Sequence, residues 1–403
     1  MSYQKKIMFL GGIYYLKPAI DAAHALGCYV ITCDNVPSNI AHQWSDEYIN
    51  ASIVDKELIL KIAQEKQIDG ILSYAVDPGV VTAAYVAEKM GLPSTCGYDA
   101  ACILQDKVLF RNFLAENGFN APWAFGFSNY DEVLDKKADI KYPAIVKPVD
   151  SAGSKGVQRI DHADQLKAAF DTAIKYSISK NVIVEEFLQK KGRSYGAEVF
   201  VNEGQLVFAS YYDQFFEESA VNPYVPYAES WSSSIPPQAE REMNDTIQRI
   251  CSIMHVRTGI FNIECRQTID NKMYIMEMSP RAGGNRLAEL IRCATGCDII
   301  FPEIQKAIQY SITPIKQQVW DKNYAILVMH TMQNGTFHGI TINDEIERKN
   351  VLSKDLYVQE GDEIHAFGGA NNAIGSLFMC FETKEEMEYT ITHQTDWLAI
   401  NIK

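Results

Sequence analysis

The stretch that most constrains the fold is residues 259–286, GIFNIECRQTIDNKMYIMEMSPRAGGNR. It holds two runs of strand-like composition, 259–268 and 272–279, on either side of the dipeptide Asp270-Asn271. Asp and Asn tolerate the backbone angles of tight turns, so the pattern predicts a β-hairpin closed by a two-residue loop. Because side chains alternate across a strand, the position of this loop decides which residues share a face.

The predicted register places two acids opposite each other. Glu264 pairs with Glu277, and Asn262 pairs with Ser279 on the same face. Directly opposed carboxylates destabilise a hairpin unless positive charge lies between them. Arg266 is one source of such charge, and a hard dication is the other. We favour Mg²⁺, because it needs few protein carboxylates when phosphate oxygens complete its shell.

The other face of the hairpin is predicted to be core. In the same register it carries only apolar side chains, which are Phe261, Ile263, Cys265, Tyr274, Met276 and Met278.

The bulk composition restricts the class of protein. The chain has 403 residues, 47% of them hydrophobic, enough for two or three globular domains. Its net charge of −14 argues against nucleic acid or an anionic membrane as a partner. The nine cysteines do not form CxxC pairs, which favours reduced thiols in a cytoplasmic protein. No apolar run is long enough to predict a membrane-spanning helix.

Residues 1–96 alternate between short apolar runs and helix-like segments. The runs at 7–10, 29–33 and 70–73 are predicted strands, and the intervening segments are predicted helices. Such alternation predicts a small, doubly wound parallel-sheet domain. Its glycines do not spell GxGxxG, so a dinucleotide site is only weakly indicated.

Two lysines and a glycine-rich loop follow. Lys107 opens a predicted helix, and Lys147 interrupts an apolar strand, as an anion contact or an edge residue would. Residues 150–157, DSAGSKGV, let backbone N–H groups turn toward an anion. The spacing of a Walker A loop is absent. A phosphate cradle and a plain flexible hairpin both remain open for this segment.

Two later segments are candidates for covering a site. Residues 211–237 are rich in aromatic residues and proline, and we expect an irregular segment that overhangs a site. From about Tyr324 the pattern predicts a compact α+β appendage. Within it, Gly368-Gly369 and Asn371-Asn372 mark a loop that is either a simple turn or reaches the site.

Taken in order, these pieces resemble the ATP-grasp superfamily over nearly the whole chain. They are the α/β start, a lysine before a helix, a KP motif with a glycine-rich loop, an EEFL hinge, a strand glutamate, and ExxPR after a hairpin. The resemblance implies α/β and α+β architecture in three domains. These are an N-terminal doubly wound parallel-sheet domain at 1–96, a two-subdomain ATP-grasp core at 97–315 with its lid subdomain at about 111–184, and a small β-rich domain at 316–403.

The resemblance also implies an activity. Such a protein is expected to activate a carboxylate as an acyl-phosphate and join it to an amine, releasing ADP and phosphate. It would use ATP and Mg²⁺, with Mn²⁺ as a substitute, and it would act on small molecules. A homodimer is one assembly that relatives adopt.

The family's functional positions map onto this sequence residue by residue. The nucleotide-binding residues would be Lys107, Lys147, Ser151, Gly153, Ser154, Gly156, Glu185, Glu186, Phe187, Leu188 and Glu198. The metal ligands would be Glu264, Glu277 and Ser279, although many members have Asn at the third position, which a hydroxyl replaces only weakly. Arg281 and Lys147 would act in the chemical step, with backbone N–H groups up to Gly284 as an oxyanion hole.

The branch within the superfamily is less constrained. Biotin carboxylase-like members place an acid eight residues after the second metal glutamate, and this chain has Asn285 there. The run EMSPRAGGNR is more similar to amino-acid ligases. Glycinamide ribonucleotide synthetase-like and carbamoyl-phosphate synthase-like ligases stay open as alternatives, and so does an ATP-binding sensor without catalytic activity.

Overall fold

A computed structural model describes residues 4–151, 153–316 and 319–403. Its first part is a parallel sheet of four strands in the order β3-β2-β1-β4, with helices between them. The elements are β1 Lys6–Leu10, α1 Lys17–Ala25, β2 Tyr29–Asp34, β3 Glu47–Asn50, α2 Lys56–Lys66, β4 Gly70–Leu72, α3 Val80–Met90 and α4 Tyr98–Gln105. The predicted parallel-sheet architecture is confirmed, although the sequence pattern did not reveal β3.

The second part contains a separate four-stranded antiparallel sheet in the order β5-β8-β6-β7. Its elements are α5 Lys107–Glu116, β5 Ala124–Phe127, α6 Tyr130–Lys136, β6 Ala144–Pro148, β7 Gln158–Ile160, α7 Leu166–Tyr176 and β8 Val182–Glu186. The Asp106 side chain accepts hydrogen bonds from the N–H groups of Val108 and Leu109 and so caps α5. This cap fixes Lys107 in the first turn of the helix.

The third part is dominated by an eight-stranded sheet in the order β13-β12-β9-β10-β11-β14-β18-β16. Its first elements are β9 Lys190–Asn202, β10 Gln205–Phe216, β11 Pro226–Trp231, α8 Pro237–Ile253, β12 Gly259–Thr268, β13 Met273–Ser279, α9 Leu287–Thr295 and α10 Ile300–Ala307. The prediction of an irregular segment at 211–237 holds only in part, because β10 occupies 211–216 and β11 occupies 226–231. The irregular parts of this segment are the connections at 217–225 and 232–236.

The remaining strands extend the same sheet or form a small three-stranded sheet, β17-β15-β19. Their elements are β14 Asn323–Met329, β15 Gly335–Ile342, α11 Asp344–Asn350, β16 Val351–Leu356, β17 Glu363–Ile364, β18 Gly375–Phe381, α12 Lys384–Thr392 and β19 Leu398–Ile402. The predicted α+β character of this region is confirmed. The domain boundaries at 96/97 and 315/316 stay predictions.

The two faces of the large sheet bury different cores. One face packs on α8 through residues such as Ile263, Cys265 and Met278. The opposite face packs at one end on the first parallel sheet, through Phe200 and Trp231. None of the described helices combines the length and apolar character needed to cross a membrane.

The hairpin β12–β13 confirms the central register prediction, but for a different reason than expected. Glu264 pairs with Glu277 and Asn262 with Ser279. The loop, however, has three residues, because the N–H of Thr268 donates to the carbonyl of Lys272 at 3.0 Å. A β-bulge beyond Glu264 and Glu277, which leaves Met276 without a paired residue, restores the predicted pairing.

The bulge also changes which side chains of β13 enter the core. Met273 and Ile275 are buried with Met278, whereas Tyr274 and Met276 are half-buried. The predicted core positions of Tyr274 and Met276 are therefore wrong. An extra residue in one strand reverses the face of every side chain between the bulge and the turn.

The turn depends on a residue that tolerates left-handed backbone angles. Asn271 has φ of 63°, and its side chain accepts a hydrogen bond from Lys191. Asn271→Val should lower the free energy of unfolding by about 1–2 kcal/mol, because a β-branched side chain is strained there. Asn271→Gly is the matched control and removes the same side-chain contact. Urea unfolding should separate the two variants, and equal destabilisation would contradict the backbone explanation.

Candidate active site

The two hairpin carboxylates lie beside a lysine, and neither acid is fully buried. Glu264 faces Glu277, and Lys107 Nζ is 3.7 Å from Glu277 Oε2. Glu264 is exposed to solvent, and the surrounding protein and the charge of Glu277 raise the pKa of its carboxyl above the ordinary value. Arg266, the other proposed source of positive charge, makes no ion pair within 4.0 Å of either acid in the described residues. The carboxylate pair is therefore only partly neutralised.

This pair fits a hard cation. Carboxylate oxygens are the ligands that Mg²⁺ prefers, and two protein carboxylates suffice when phosphates supply the rest. The described residues contain no cluster of three acidic, His or Cys side chains that could hold an ion without such help. Ser279, the third predicted ligand, is buried, donates to Asp77 at 2.8 Å and accepts from Gln105 at 2.7 Å. Its role as a ligand stays a prediction.

A buried ion network lies behind the nucleotide-binding positions. Arg111 Nε donates to Glu185 at 2.9 Å, and Lys147 contacts the other oxygen of the same carboxyl. Burial would raise the pKa of Glu185, but the charges of Arg111 and Lys147 hold it at about 2. Burial lowers the pKa of Lys147 to about 8, against the opposing effect of Glu185. Both oxygens of Glu185 are thus committed to protein cations.

This network changes the expectations for the hinge. Because both oxygens of Glu185 are occupied, the adjacent Glu186, whose own side chain is half-buried, is the hinge acid that remains accessible. The N–H groups of Glu186 and Phe187 donate to Trp123 O at 3.0 Å and Pro143 O at 3.4 Å. Leu188 is buried. Contact of these residues with a purine stays a prediction.

Arg111 connects this network to the hairpin. Its Nη2 donates to the carbonyl of Met276, the residue of the bulge, at 2.9 Å. Sequence reasoning missed Arg111, yet a signal was present. An arginine between Phe110 and Leu114 on the buried face of α5 must find a buried partner.

The glycine-rich loop lies between two other segments. Lys107 Nζ donates to Ser151 O at 3.3 Å, and Ser154 Oγ donates to Tyr224 O at 2.9 Å. Asn222 Nδ2 donates to Ser154 O at 2.8 Å and to Gly368 O at 3.3 Å. The loop is therefore joined to the 217–225 connection and to the loop around Gly368. Ala152 lies outside the described residues.

Two glycines of this loop have backbone angles that favour glycine. Gly153 and Gly156 have φ of 68° and 74°. A Cβ at Gly156 would lie 2.8 Å from Tyr176 Cδ2, so a larger residue does not fit there. Such a backbone can bring N–H groups close to a phosphate. The phosphate-binding roles of residues 151 and 153–156 stay predictions.

Arg281 is engaged by an acid that sequence reasoning missed. Its Nε and Nη2 donate to the two oxygens of Asp77, both at 2.7 Å. Asp77 follows β4 at the carboxyl end of the parallel sheet, the edge at which such sheets bind ligands. That position was the available signal. Burial opposes ionisation of Asp77, but Arg281 keeps its pKa below the ordinary value.

Glu198 supports the loop that carries Arg281. It is fully buried, accepts from Gly283 N at 3.1 Å and from Asn262 Nδ2 at 2.7 Å. A sealed carboxyl offers no oxygen to a ribose in this arrangement. Of the N–H groups predicted to form an oxyanion hole, those of Arg281 and Gly283 already donate to Ser279 O and Glu198. The role of Gly284, which is half-buried, stays a prediction.

Comparison with known proteins finds similarity to one family over part of the chain. A family model described as an ATP-grasp domain matches residues 140–289. This span contains the glycine-rich loop, the hinge and the paired carboxylates. Residues 140–289 of the chain are therefore similar to an ATP-grasp domain.

Curated relatives are similar over part of the chain. A formate-dependent phosphoribosylglycinamide formyltransferase from Bacteroides thetaiotaomicron is 24% identical over 281 residues, which is 69% of this chain and 70% of that protein. The same enzyme from Prochlorococcus marinus is 32% identical over 194 residues. This match covers 46% of the chain and about half of the relative, 48%.

Solved structures share the fold over the full length. An L-amino acid ligase from Bacillus licheniformis aligns with a TM-score of 0.83 at 17% identity, covering 100% of both chains. A phosphoribosylglycinamide synthetase from Anaerococcus prevotii aligns with a TM-score of 0.76 at 20% identity, also covering 100% of both. At these identities the likeness shows the fold.

The buried network allows a prediction about stability. Glu185→Gln should lower the free energy of unfolding by about 3–5 kcal/mol at neutral pH, because Arg111 and Lys147 lose a buried counter-charge. The pKa of Glu185 is depressed from 4.5 to about 2 in the folded state, so its stabilisation is present above about pH 4.5. The difference between wild type and variant should therefore shrink as pH falls toward 2. Urea unfolding at several pH values measures it.

The adjacent hinge acid provides the matched control. Glu186→Gln changes the same side chain on the other face of β8 and should leave the free energy of unfolding nearly unchanged. An equally destabilised Glu186→Gln protein, or a Glu185→Gln protein of wild-type stability, would disagree with the ion network.

Proposed function

We propose that this protein is an ATP-dependent carbon–nitrogen ligase. It activates a carboxylate as an acyl-phosphate, joins it to an amine of an amino acid or small metabolite, and releases ADP and phosphate. The observation that carries this proposal is the pairing of Glu264 with Glu277 beside Lys107. A pair of opposed acids next to a lysine suits a metal-bound polyphosphate, because the metal and the lysine both offset its charge.

The residues around the pair divide the work of the first step. When bound, Mg²⁺ would be held by Glu264 and Glu277 and would neutralise phosphate charge. Lys107, which reaches both the loop at Ser151 and Glu277, can position the terminal phosphate. Lys147 adds positive charge from the adjacent sheet. Arg281, in the segment that follows β13, can hold the carboxylate that attacks the phosphate.

The three joined segments described above can exclude water from the second step. An acyl-phosphate hydrolyses readily, so it must be shielded until the amine attacks. The glycine-rich loop bonds to the 217–225 connection through Ser154 and Asn222, and Asn222 also bonds to Gly368. We propose that these contacts close over the nucleotide phosphates.

A second candidate function has its own support. The curated relatives are named as formate-dependent formyltransferases acting on phosphoribosylglycinamide, so the donor could be formate and the amine a ribonucleotide. The full-length structural likeness to an L-amino acid ligase favours an amino-acid donor instead. A screen that supplies ATP and Mg²⁺ with formate or single amino acids as carboxylates, each with and without an amine, separates these options.

The proposed ligase makes a clear prediction in that screen. ADP and phosphate should appear only when a carboxylate and an amine are both present. Amine-independent turnover would point to a kinase or a carboxylase. Tight ATP binding without turnover under any condition would instead support a nucleotide sensor and refute the ligase.

The carboxylate pair is tested by Glu277→Ala. We expect turnover to fall to background, because one of two opposed acids cannot hold the metal–nucleotide complex alone. The fold should be kept, since removing one of two facing like charges relieves repulsion. Phosphate release and thermal melting measure the two effects. Asp270→Ala, in the turn of the same hairpin, is the control and should stay active. An active Glu277→Ala enzyme with normal Mg²⁺ dependence would refute the metal assignment.

Arg281 is tested in the same assay. Arg281→Ala should reduce kcat by about 100-fold or more, because its charge faces the reacting carboxylate. The affinity for ATP should change little. Arg292→Ala, which removes a half-exposed arginine of α9, is the control. Equal losses in ATP binding and in turnover would contradict the placement of Arg281 at the carboxylate.

A further inference from the structure

Unsatisfied polar atoms are concentrated in one row of the large sheet. The row crosses four adjacent strands, β12, β9, β10 and β11. Each strand contributes one residue that pairs with its neighbour on the next strand: Arg266, Ser194, Gln214 and Glu229. Arg266 Nε, Ser194 Oγ and Glu229 Oε2 are buried and have no hydrogen-bond partner. Only eight such side-chain atoms occur in the described residues, so three in one row mark a place where partners are missing.

This row adjoins the paired carboxylates on the same face. Glu264 is paired with Gly196, two residues from Ser194, and side chains two apart share a face. Glu229 lies three strands away, roughly 14 Å at the backbone. The charge of Glu264 contributes to a raised pKa of Glu229, after the larger effect of burial. The row therefore runs from the carboxylate pair toward β11 on one face of the sheet.

Glu229 is a buried acid without a counter-charge. It is 2% exposed, and no Lys, Arg or His nitrogen lies within 4.0 Å of it in the part of the chain that the structure describes. Among the described residues, its carboxyl accepts one hydrogen bond, from Asn285 Nδ2 to Oε1 at 2.7 Å. Burial raises the pKa of Glu229 to about 8. A cationic ligand would satisfy Oε2 and stabilise the ionised form.

Asn285, which donates the hydrogen bond to Glu229, belongs to the loop that carries Arg281. Asn285 lies four residues after Arg281, and its Oδ1 accepts from Tyr15 OH at 3.0 Å. Asn285 and Arg286 both have left-handed backbone angles, with φ of 54° and 66°. Two consecutive residues in this region are strained unless the surroundings require them, and such strain is concentrated at functional sites. One loop thus presents an arginine to the carboxylate and an amide to Glu229.

We propose that Glu229 binds the protonated amine of the acceptor substrate, with Asn285 as the movable cover of this site. The inference rests on the proposed ligase function and adds the class of acceptor, a cationic amine. The ammonium group donates to Oε2, takes the place of the Asn285 amide, and passes one proton to the Glu229 carboxylate before the neutral amine attacks the acyl-phosphate. This arrangement holds the amine on the same face of the sheet as the acyl-phosphate, beside the loop of Arg281.

The experiment compares charged and uncharged nucleophiles. Common amino acids serve as cationic amines, and hydroxylamine, mostly uncharged at neutral pH, captures the acyl-phosphate as a hydroxamate. Glu229→Gln should raise KM for the amino acid about tenfold or more, the effect of losing a charge-assisted hydrogen bond. KM for ATP and the rate of hydroxamate formation should stay at wild-type values. A purely structural role would not separate the two nucleophiles.

The control is Ser230→Ala. Ser230 is the next residue of β11, is buried, and also has an unpartnered oxygen, but it faces the opposite side of the sheet. The Ser230→Ala protein should have the same KM for the amino acid as the wild-type protein. Glu229→Asp is the second variant if Gln impairs folding, since it keeps the charge and should keep the preference for cationic amines.

The possible outcomes are distinct. An unchanged KM for the amine in Glu229→Gln, an equal loss with hydroxylamine, or loss of the cation preference in folded Glu229→Asp overturns the amine site while the ligase activity of wild type stands. A wild-type protein that releases ADP with no carboxylate–amine pair refutes the proposed function and the amine site together.

Discussion

The structure depends on two carboxylates held face to face across one hairpin. Glu264 and Glu277 would repel each other in isolation, and among the described residues Lys107 is the cation that forms an ion pair with one of them. The rest of the core around the hairpin holds this unfavourable pair in place. Arg111 donates to the carbonyl of the bulge residue next to Glu277, and Glu198 fixes the loop that follows Ser279. This unfavourable local arrangement is the basis of the proposed binding site for a metal ion and phosphate.

The sequence could predict the pairing of Glu264 with Glu277, but not the turn and the bulge that produce it. The Asp270-Asn271 turn was expected to have two residues, and it has three. The bulge at Met276 compensates, so the register at Glu264 is correct while the faces of Tyr274 and Met276 are not. Alternation rules assume an unbroken ladder, and a bulge is set by contacts such as the Arg111 bond, which no local pattern shows.

For the candidate site residues, too, the sequence shows some properties and not others. Acids and lysines in a recognisable order were available from the sequence, as were helices with clear caps and periodicity. The partners that decide their state were not. Glu185 looked like a free hinge acid, yet Arg111 and Lys147 occupy both its oxygens. Glu198 looked like a ribose ligand, yet it is sealed beneath Gly283. Such pairings join residues far apart in the chain, so only tertiary structure reveals them.

Asp77 illustrates how the first domain enters the chemistry. An arginine without a protein partner would sample many rotamers, and ordering it when a ligand binds would cost side-chain entropy. Asp77 fixes two of its nitrogens, and the carbonyl of Ala282 accepts from the third at 2.7 Å. A guanidinium has five N–H donors, so two stay free for a substrate. The salt bridge with Asp77 therefore orients Arg281 and leaves part of its guanidinium free, so the position of the parallel sheet would affect the proposed carboxylate site.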